Sequence, residues 1–261
     1  MKALTIFLAD SAGKASPLKA SLNILLVSIG VITLFWMSLI TINVTLDFSF
    51  FTQFEQRLID GFFLTVTISA ASLVLSTVIG ILSAVGQSSR ILVVRYLCSG
   101  YVTFMRGTPL IMQIYLFFYI IGTAWGITNR FIAGVLILSL FEGAYVAEII
   151  RGSFLSVDET QLEAARAVGF SKRQTLRHVI IPQIMARTLP ALTGQFASII
   201  KDSSLLSIIA VVELTQTMRE ISATNFHLFE CYLLLGVLYL CLTLPITSIS
   251  KHLEKRFDYA S

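Results

Sequence analysis

Apolar residues run along this chain in long blocks separated by short charged segments, and each block is long enough for a membrane-spanning helix. The two least regular blocks are the third, where Arg106 interrupts the start, and the fifth, which contains Lys201 and Asp202. The pattern predicts an all-α integral membrane protein with about six transmembrane helices, at residues 22–46, 61–87, 100–124, 131–150, 188–212 and 228–249.

The first apolar block carries no charge from Ala20 to Leu46. As a helix it would span roughly 40 Å, which exceeds the hydrocarbon core of a bilayer, about 30 Å thick. A cleaved signal peptide has a shorter apolar region close to its start, whereas this block follows a mostly polar segment at 1–19. We therefore expect a retained first transmembrane helix.

Composition supports a bilayer environment for much of the chain. Charged residues make up 13% and hydrophobic residues 56%, whereas an average soluble domain has about 25% charged residues. Too few charged groups remain to cover a surface exposed to water, which excludes a large soluble domain.

The positive charges are distributed unevenly between the two predicted sides of the membrane. With the N-terminus in the cytoplasm, fifteen of the nineteen Lys and Arg residues fall in cytoplasmic segments, and Arg57, Arg130 and Arg219 fall outside, with Lys201 unassigned. Cytoplasmic loops are enriched in Lys and Arg, so both termini are predicted to be cytoplasmic. This topology accounts for the net charge of +4 without nucleic-acid binding.

The largest predicted cytoplasmic loop, 151–187, contains helix start and stop signals typical of a helical hairpin. Asp158 followed by Gln161 favours a helix start, and Gly169 favours a helix end after Glu159–Val168. A second start follows at Ser171, three residues before Gln174, and leads towards Pro182.

The first hairpin helix contains Glu163, Ala164, Ala165 and Arg166. Two alanines keep a helix face narrow, so that another protein can approach it closely. Glu163 and Arg166 are three residues apart and can pair with each other or with a partner. An ordinary solvated loop with a chance Glu-Ala-Ala tripeptide is the alternative for these residues taken alone.

The hairpin resembles the EAA loop of binding-protein-dependent ABC import permeases, whose pattern is E-A-A-x3-G-x9-I-x-L-P. Val179 and Ile181 replace the usual Ile and Leu, and the matching residues are Glu163, Ala164, Ala165, Gly169 and Pro182. Other segments resemble the polar amino-acid class of these permeases, namely 106–110 with Gln113, 143–145, 147–148, 151–152, 161–167, 175–176, 182–183, 189–191 and 201–205. Asp158 departs from the class, which usually has Pro there.

The resemblance covers about residues 57–252 and implies a domain organisation. The class has a five-helix core, so the chain would comprise a cytoplasmic tail (1–19), an added N-terminal transmembrane helix with an outer loop (20–56), the permease domain (57–252) and a second cytoplasmic tail (253–261).

The resemblance also implies a function and partners. The chain would be the permease subunit of a bacterial inner-membrane importer for polar amino acids, such as cationic arginine or glutamine-like substrates. Cytoplasmic ABC ATPase subunits would dock on Glu163, Ala164, Ala165, Arg166 and Gly169. An extracytoplasmic solute-binding protein, a second copy or a similar permease, and membrane lipid would be the other partners, with no nucleic acid. No GxxxxGK[ST] phosphate loop occurs in the sequence, so ATP hydrolysis is assigned to a partner and no cofactor is predicted.

Charged residues at membrane depth are candidates for the substrate pathway. Glu142 lies about halfway along the fourth predicted span, where a charged side chain costs roughly 2.5–3.5 kcal/mol. It would favour a cationic substrate, unless it is a carboxyl that only packs. Lys201 and Asp202 are candidates for gating or for the pathway, or form an interfacial charge pair. Arg106 is a pathway candidate or a positive anchor.

Two other classes of function remain open on the residues alone. An ion-gradient-driven secondary transporter would use Glu142, Lys201 and Asp202 for coupling but would leave the hairpin unexplained. A membrane enzyme would need a nucleophile or metal constellation. His178, His227 and His252 are isolated along the sequence, so no catalytic or metal site is predicted.

Overall fold

The computed structural model describes residues 16–258, which form helices joined by turns and short loops, with no strand among them. Residues 1–15 of the predicted N-terminal tail and 259–261 of the predicted C-terminal tail lie outside the described residues. The chain divides into two compact units, one ending at Phe48 and the other beginning at Ser49.

The described α-helices are α1 Pro17–Thr41, α2 Glu55–Gln87, α3 Leu92–Gly107, α4 Leu110–Tyr115, α5 Arg130–Leu155, α6 Glu159–Ala167, α7 Lys172–Thr175, α8 Ile181–Asp202, α9 Leu214–Asn225 and α10 Leu228–Asp258. Short 3₁₀ helices cover Ser49–Phe54 and Ser203–Ile209. π-helical turns cover Leu116–Gly122 and Leu176–Ile180.

The first unit consists of α1 and the segment after it. Ser16 caps the helix by accepting a hydrogen bond from the Lys19 backbone N–H at 3.4 Å, and Pro17 occupies the first turn. The helix ends before Asn43, whose φ is 55°. The predicted span 22–46 is thus shifted towards the N-terminus, because this capping pair starts the helix earlier than hydropathy alone suggests.

The second unit is organised around α2 and α5, which meet through small residues. The buried face of α2 includes Gly61, Ser69, Ser72, Ser76 and Gly80. A Cβ atom on Gly80 would lie 2.4 Å from Val146 Cγ1 of α5. Small side chains let membrane helices approach closely and pack by van der Waals contact.

The third predicted span, 100–124, is broken in two. Thr108 is extended (φ −126°, ψ 149°), as expected before Pro109, and α3 meets the segment Leu110–Gly122 at a bend of 114°. The Gln113 amide spans the break, since its Nε2 donates to Met105 O at 2.9 Å and to Thr108 Oγ1 at 2.7 Å.

The fifth predicted span, 188–212, also has different bounds. A helical stretch runs without a gap from Lys172 through α8 to Asp202, and the chain then turns through Ser203–Ile209 to Ala210, whose φ is 54°. Polar residues such as Gln183, Arg187 and Gln195 lie along α8.

In the described part of the chain, the number of apolar spans is close to the predicted six. Four helical segments are long and apolar enough to cross a membrane, namely Pro17–Thr41, Ser49–Gln87, Arg130–Leu155 and Leu228–Lys255. The bent pair of α3 and Leu110–Gly122 makes a fifth if it is taken as one span.

Candidate functional site

The helical hairpin between α5 and α8 begins with a capped helix. Asp158 Oδ1 accepts a hydrogen bond from the Thr160 backbone N–H at 3.0 Å, which lowers the pKa of this exposed carboxyl below its ordinary value. The capped helix is α6, Glu159–Ala167, one residue shorter than predicted. The carboxylate therefore stays ionised and holds the first turn of α6 at neutral pH.

The turn of the hairpin requires the glycine at position 169. Gly169 has φ 80°, in the left-handed region that β-branched residues avoid. The Gly169 N–H donates to Arg166 O and the Phe170 N–H donates to Ala165 O, both at 3.0 Å. This pair of hydrogen bonds is a Schellman motif, which ends α6 and reverses the chain.

The second hairpin helix starts at a capping box. Gln174 Oε1 accepts from the Ser171 backbone N–H at 2.8 Å, and Ser171 Oγ accepts from the Gln174 backbone N–H at 3.3 Å. The helical stretch continues past Pro182, which has no N–H to donate and follows directly on the π-helical turn Leu176–Ile180. The hairpin therefore continues directly into α8.

Two side-chain contacts tie the hairpin to α8, and neither was foreseen from the sequence. Gln183 Nε2 donates to Gln161 Oε1 at 3.2 Å. The Arg187 guanidinium donates to both the carbonyl oxygen and the hydroxyl of Ser156. The only signal for these contacts in the sequence is that α8 carries the long polar side chains Gln183 and Arg187.

The tip of the hairpin presents most of its distinctive residues to the surroundings. Glu163, Ala164, Arg166 and Gly169 are exposed, whereas Ala165 is buried. The two alanines thus have different roles, because Ala165 packs inside the hairpin and Ala164 faces outwards. Among the described residues no ion pair joins Glu163 to Arg166, which leaves both charges available to a partner.

A second cluster of polar residues lies inside the helix bundle around Glu142. Its side chain is fully buried on α5 and accepts a hydrogen bond from the Gln195 side-chain amide of α8. The Asp202 carboxyl, seven residues after Gln195, lies near the Glu142 carboxyl. Two neighbouring carboxylates repel each other, and a shared proton or a cation between them removes that repulsion.

The structure brings together only two of the four predicted pathway residues. Glu142 and Asp202 meet, together with Gln195, which the sequence analysis missed although it lies two helical turns before Asp202 on the same face of α8. Lys201 is exposed and lines a separate cavity of about 350 Å³ between the end of α8, α9 and α10. Lys201 and Asp202 form no ion pair with each other among the described residues.

Arg106 belongs to a different cluster. Its guanidinium lies 3.5 Å from the Glu148 carboxylate and 5.6 Å from the centre of the Tyr145 ring. Glu148 also accepts from Arg151 Nε at 3.0 Å, an ion pair between residues three apart near the end of α5. Arg106 thus joins the end of α3 to α5.

Two further polar groups have partners that the sequence did not reveal. Buried Glu213 caps α9 by accepting from the backbone N–H groups of Thr215 and Gln216, each at 2.8 Å, and from Tyr239 Oη at 3.0 Å. His227 is isolated in sequence, yet its Nδ1 lies 3.2 Å from Glu230 Oε1. No group of three His, Cys, Asp or Glu residues in the described chain is placed to hold a metal ion.

Comparisons with known proteins identify the family. The family described as "Binding-protein-dependent transport system inner membrane component" matches residues 76–259. The chain is 32% identical to the probable glutamine ABC transporter permease protein GlnM of Bacillus subtilis, over 83% of this chain and 98% of that protein. It is 35% identical to the glutamine transport system permease protein GlnP of Escherichia coli K12, over 76% of this chain and 92% of that protein.

Solved structures agree with this relationship. A crystal structure described as an amino acid ABC transporter with histidines superposes with a TM-score of 0.76 at 32% identity, covering 82% of this chain and all of that one. The methionine transporter MetNI in an inward-facing form has a TM-score of 0.61 at 18% identity over 77% of this chain and 98% of that one, which supports the fold alone.

The family match does not favour an ion-gradient-driven transporter, because members of this family work within ABC systems. The family match and the apolar helices together identify a multi-pass protein of the inner membrane. This chain therefore belongs to the binding-protein-dependent transport system inner membrane components, the permease subunits of ABC importers.

Proposed function

We propose that this permease carries polar amino acids and is driven by ATPase subunits that dock on the hairpin around Glu163–Gly169. The observation that carries the proposal is that α6 is exposed and is held at its two ends by the Asp158 cap and the Gly169 turn. Relatives named for glutamine and cystine transport support an amino-acid substrate.

Coupling passes from the hairpin to the bundle through α8. The Gln161–Gln183 and Arg187–Ser156 contacts attach α6 and the loop before it to α8. The helical stretch 172–202 is about 45 Å long at 1.5 Å per residue. ATPase closure that moves the hairpin therefore moves the far end of α8, where Asp202 meets Glu142.

The Glu142–Asp202 pair is the proposed substrate-selective element. Two acidic groups in a buried site favour a positively charged side chain, such as a guanidinium or ammonium, over a neutral one. Glu142 is fully buried here, so substrate reaches it only when α8 moves away from α5. Lys201 remains a pathway candidate at its own cavity, and we assign Arg106 the anchoring role because of its contact with Glu148.

The proposed assembly follows from the hairpin. A pair of ATPase subunits offers two docking sites, so this permease works as a homodimer or with a similar permease. Both termini and the hairpin lie in the cytoplasm, and a solute-binding protein delivers substrate on the opposite side. We assign residues 57–252 to the transport domain and 20–56 to an added N-terminal helix with its outer loop.

Uptake into vesicles that contain the assembled transporter and its binding protein tests this function. Vanadate, which traps ATPases, should stop amino-acid uptake, and a proton uncoupler should leave initial rates unchanged when ATP is supplied. Uptake that resists vanadate but collapses with the uncoupler would contradict the proposal.

A further inference from the structure

An open, mostly apolar cavity lies where α2, α3 and α5 end or begin on the hairpin side of the bundle. It has a volume of about 600 Å³, within the range of pockets that hold small ligands. Its apolar lining includes Val85 of α2, Val94 of α3, and Phe154 and Leu155 of α5. These four side chains are between 37% and 69% exposed, so nothing in the described second unit covers them.

The same cavity is bordered by cations. Ser88, Ser89 and Arg151 contribute polar atoms to its lining, and Arg151 is already paired with Glu148. Arg90 follows Ser89 in the same turn, and Arg95 donates from Nε to the Ser89 carbonyl oxygen at 3.2 Å. Neither Arg90 nor Arg95 forms an ion pair with a carboxylate among the described residues.

We propose that this cavity binds an anionic phospholipid. The acyl chain lies against Val85, Val94 and Phe154, and the phosphate lies beside Arg90 and Arg95. Basic pockets between transmembrane helices on the cytoplasmic side are suited to anionic head groups. This assignment rests on the cavity and its charges, and it is independent of the proposed substrate.

Charge complementarity favours an anionic lipid as the occupant. An anionic lipid supplies both the apolar chain and the negative charge that the cavity lacks.

Native mass spectrometry of the full-length chain in detergent tests the site. Phosphatidylglycerol and phosphatidylcholine with the same acyl chains are added separately, and the fraction of lipid-bound protein is measured. Phosphatidylglycerol should bind more tightly. The double variant Arg90→Gln, Arg95→Gln should weaken its binding about 30-fold, at about 5-fold for each arginine.

Matched variants separate a site from general charge attraction. Arg173→Gln with Arg177→Gln removes the same charge from the hairpin and should weaken phosphatidylglycerol binding less than about 3-fold. Val85→Trp fills the cavity from its exposed side and should abolish preferential binding. Val78→Trp, two turns earlier on α2 and outside the lining, should preserve it.

Several results would overturn the proposal. One is equal binding of phosphatidylglycerol and phosphatidylcholine by the wild type. Another is an equal loss of phosphatidylglycerol binding in the Arg90/Arg95 and Arg173/Arg177 double variants. A third is unchanged phosphatidylglycerol binding in Val85→Trp. Release of bound phosphatidylglycerol when the ATPase or a second permease assembles would assign the cavity to that protein instead.

Discussion

The guanidinium of Arg187 in α8 donates to both the carbonyl oxygen and the hydroxyl of Ser156, across the base of the hairpin. Ser156 is the C-cap of α5, so this one side chain holds the end of α5 and the start of the hairpin against α8. In the proposed mechanism, this contact transmits movement of the hairpin to α8.

Loss of this contact should uncouple ATP hydrolysis from transport. In Arg187→Ala, we expect ATP-driven uptake to fall about 5-fold, because hydrogen bonds worth roughly 1 kcal/mol at a partly exposed site no longer hold the hairpin. ATPase activity of the assembled transporter should fall less than uptake. Arg173→Ala removes a charge from the same hairpin without breaking this contact, so it should retain coupling. Equal losses of ATP-driven uptake in Arg187→Ala and Arg173→Ala would contradict the role of Arg187.

Glu142→Gln should change substrate preference. Gln cannot supply the negative charge that a carboxyl offers to a bound guanidinium or ammonium group, so uptake of arginine relative to glutamine should fall at least about 10-fold. Competition assays with labelled substrates measure this ratio. Glu148→Gln, at the Arg106 and Arg151 cluster, serves as the control, and an unchanged ratio in Glu142→Gln would rule out a substrate-selective role.

The Asp158 cap should make the first turn of α6 sensitive to acid. Its pKa is lower in the folded chain than in an unfolded one, so its stabilising effect is present above the ordinary Asp pKa of about 3.9 and is lost as pH falls through the folded value. Hydrogen exchange at the Thr160 amide, corrected for intrinsic rates, should lose protection on acidification. In Asp158→Asn the protection should not change with pH, and the same acid response in that variant would assign the effect to another group.

Gly80→Ala should destabilise the bundle. The added Cβ would lie 2.4 Å from Val146 Cγ1 and 3.0 Å from the Ala147 backbone N, and overpacking of this kind costs about 1–3 kcal/mol. The midpoint of thermal unfolding in detergent should fall by several degrees. Gly236→Ala, whose Cβ meets no atom within 4 Å, should unfold at the wild-type temperature or above, and equal midpoints for the two variants would refute the close α2–α5 contact.

The hairpin could be predicted from sequence because its determinants are local. Asp158, Gly169 and the Ser171–Gln174 box act through backbone groups within a few residues, and each forms the expected cap or turn. The sequence also marked Glu142 as exceptional because a charge at membrane depth is costly.

The remaining site residues depend on contacts between distant segments. Gln195 is an ordinary polar residue until folding places it beside Glu142, 53 positions away. Likewise, Arg106 interrupts an apolar block in the sequence, but only the bend at Thr108 and Pro109 and the approach of α5 bring it to Glu148. Single-sequence periodicity reports burial along one helix and carries no information about which helices meet.

Gly169→Val tests most directly the claim that the hairpin couples the permease to its ATPase. Valine in a conformation with φ 80° is strained, so the turn between α6 and α7 should be lost while the transmembrane helices, which do not depend on it, still insert. ATP-driven uptake and retention of the ATPase on purification should both disappear, with wild-type amounts of permease in the membrane. The matched variant Gly152→Ala, at an open position in α5, should keep both, and wild-type uptake by Gly169→Val would contradict the account.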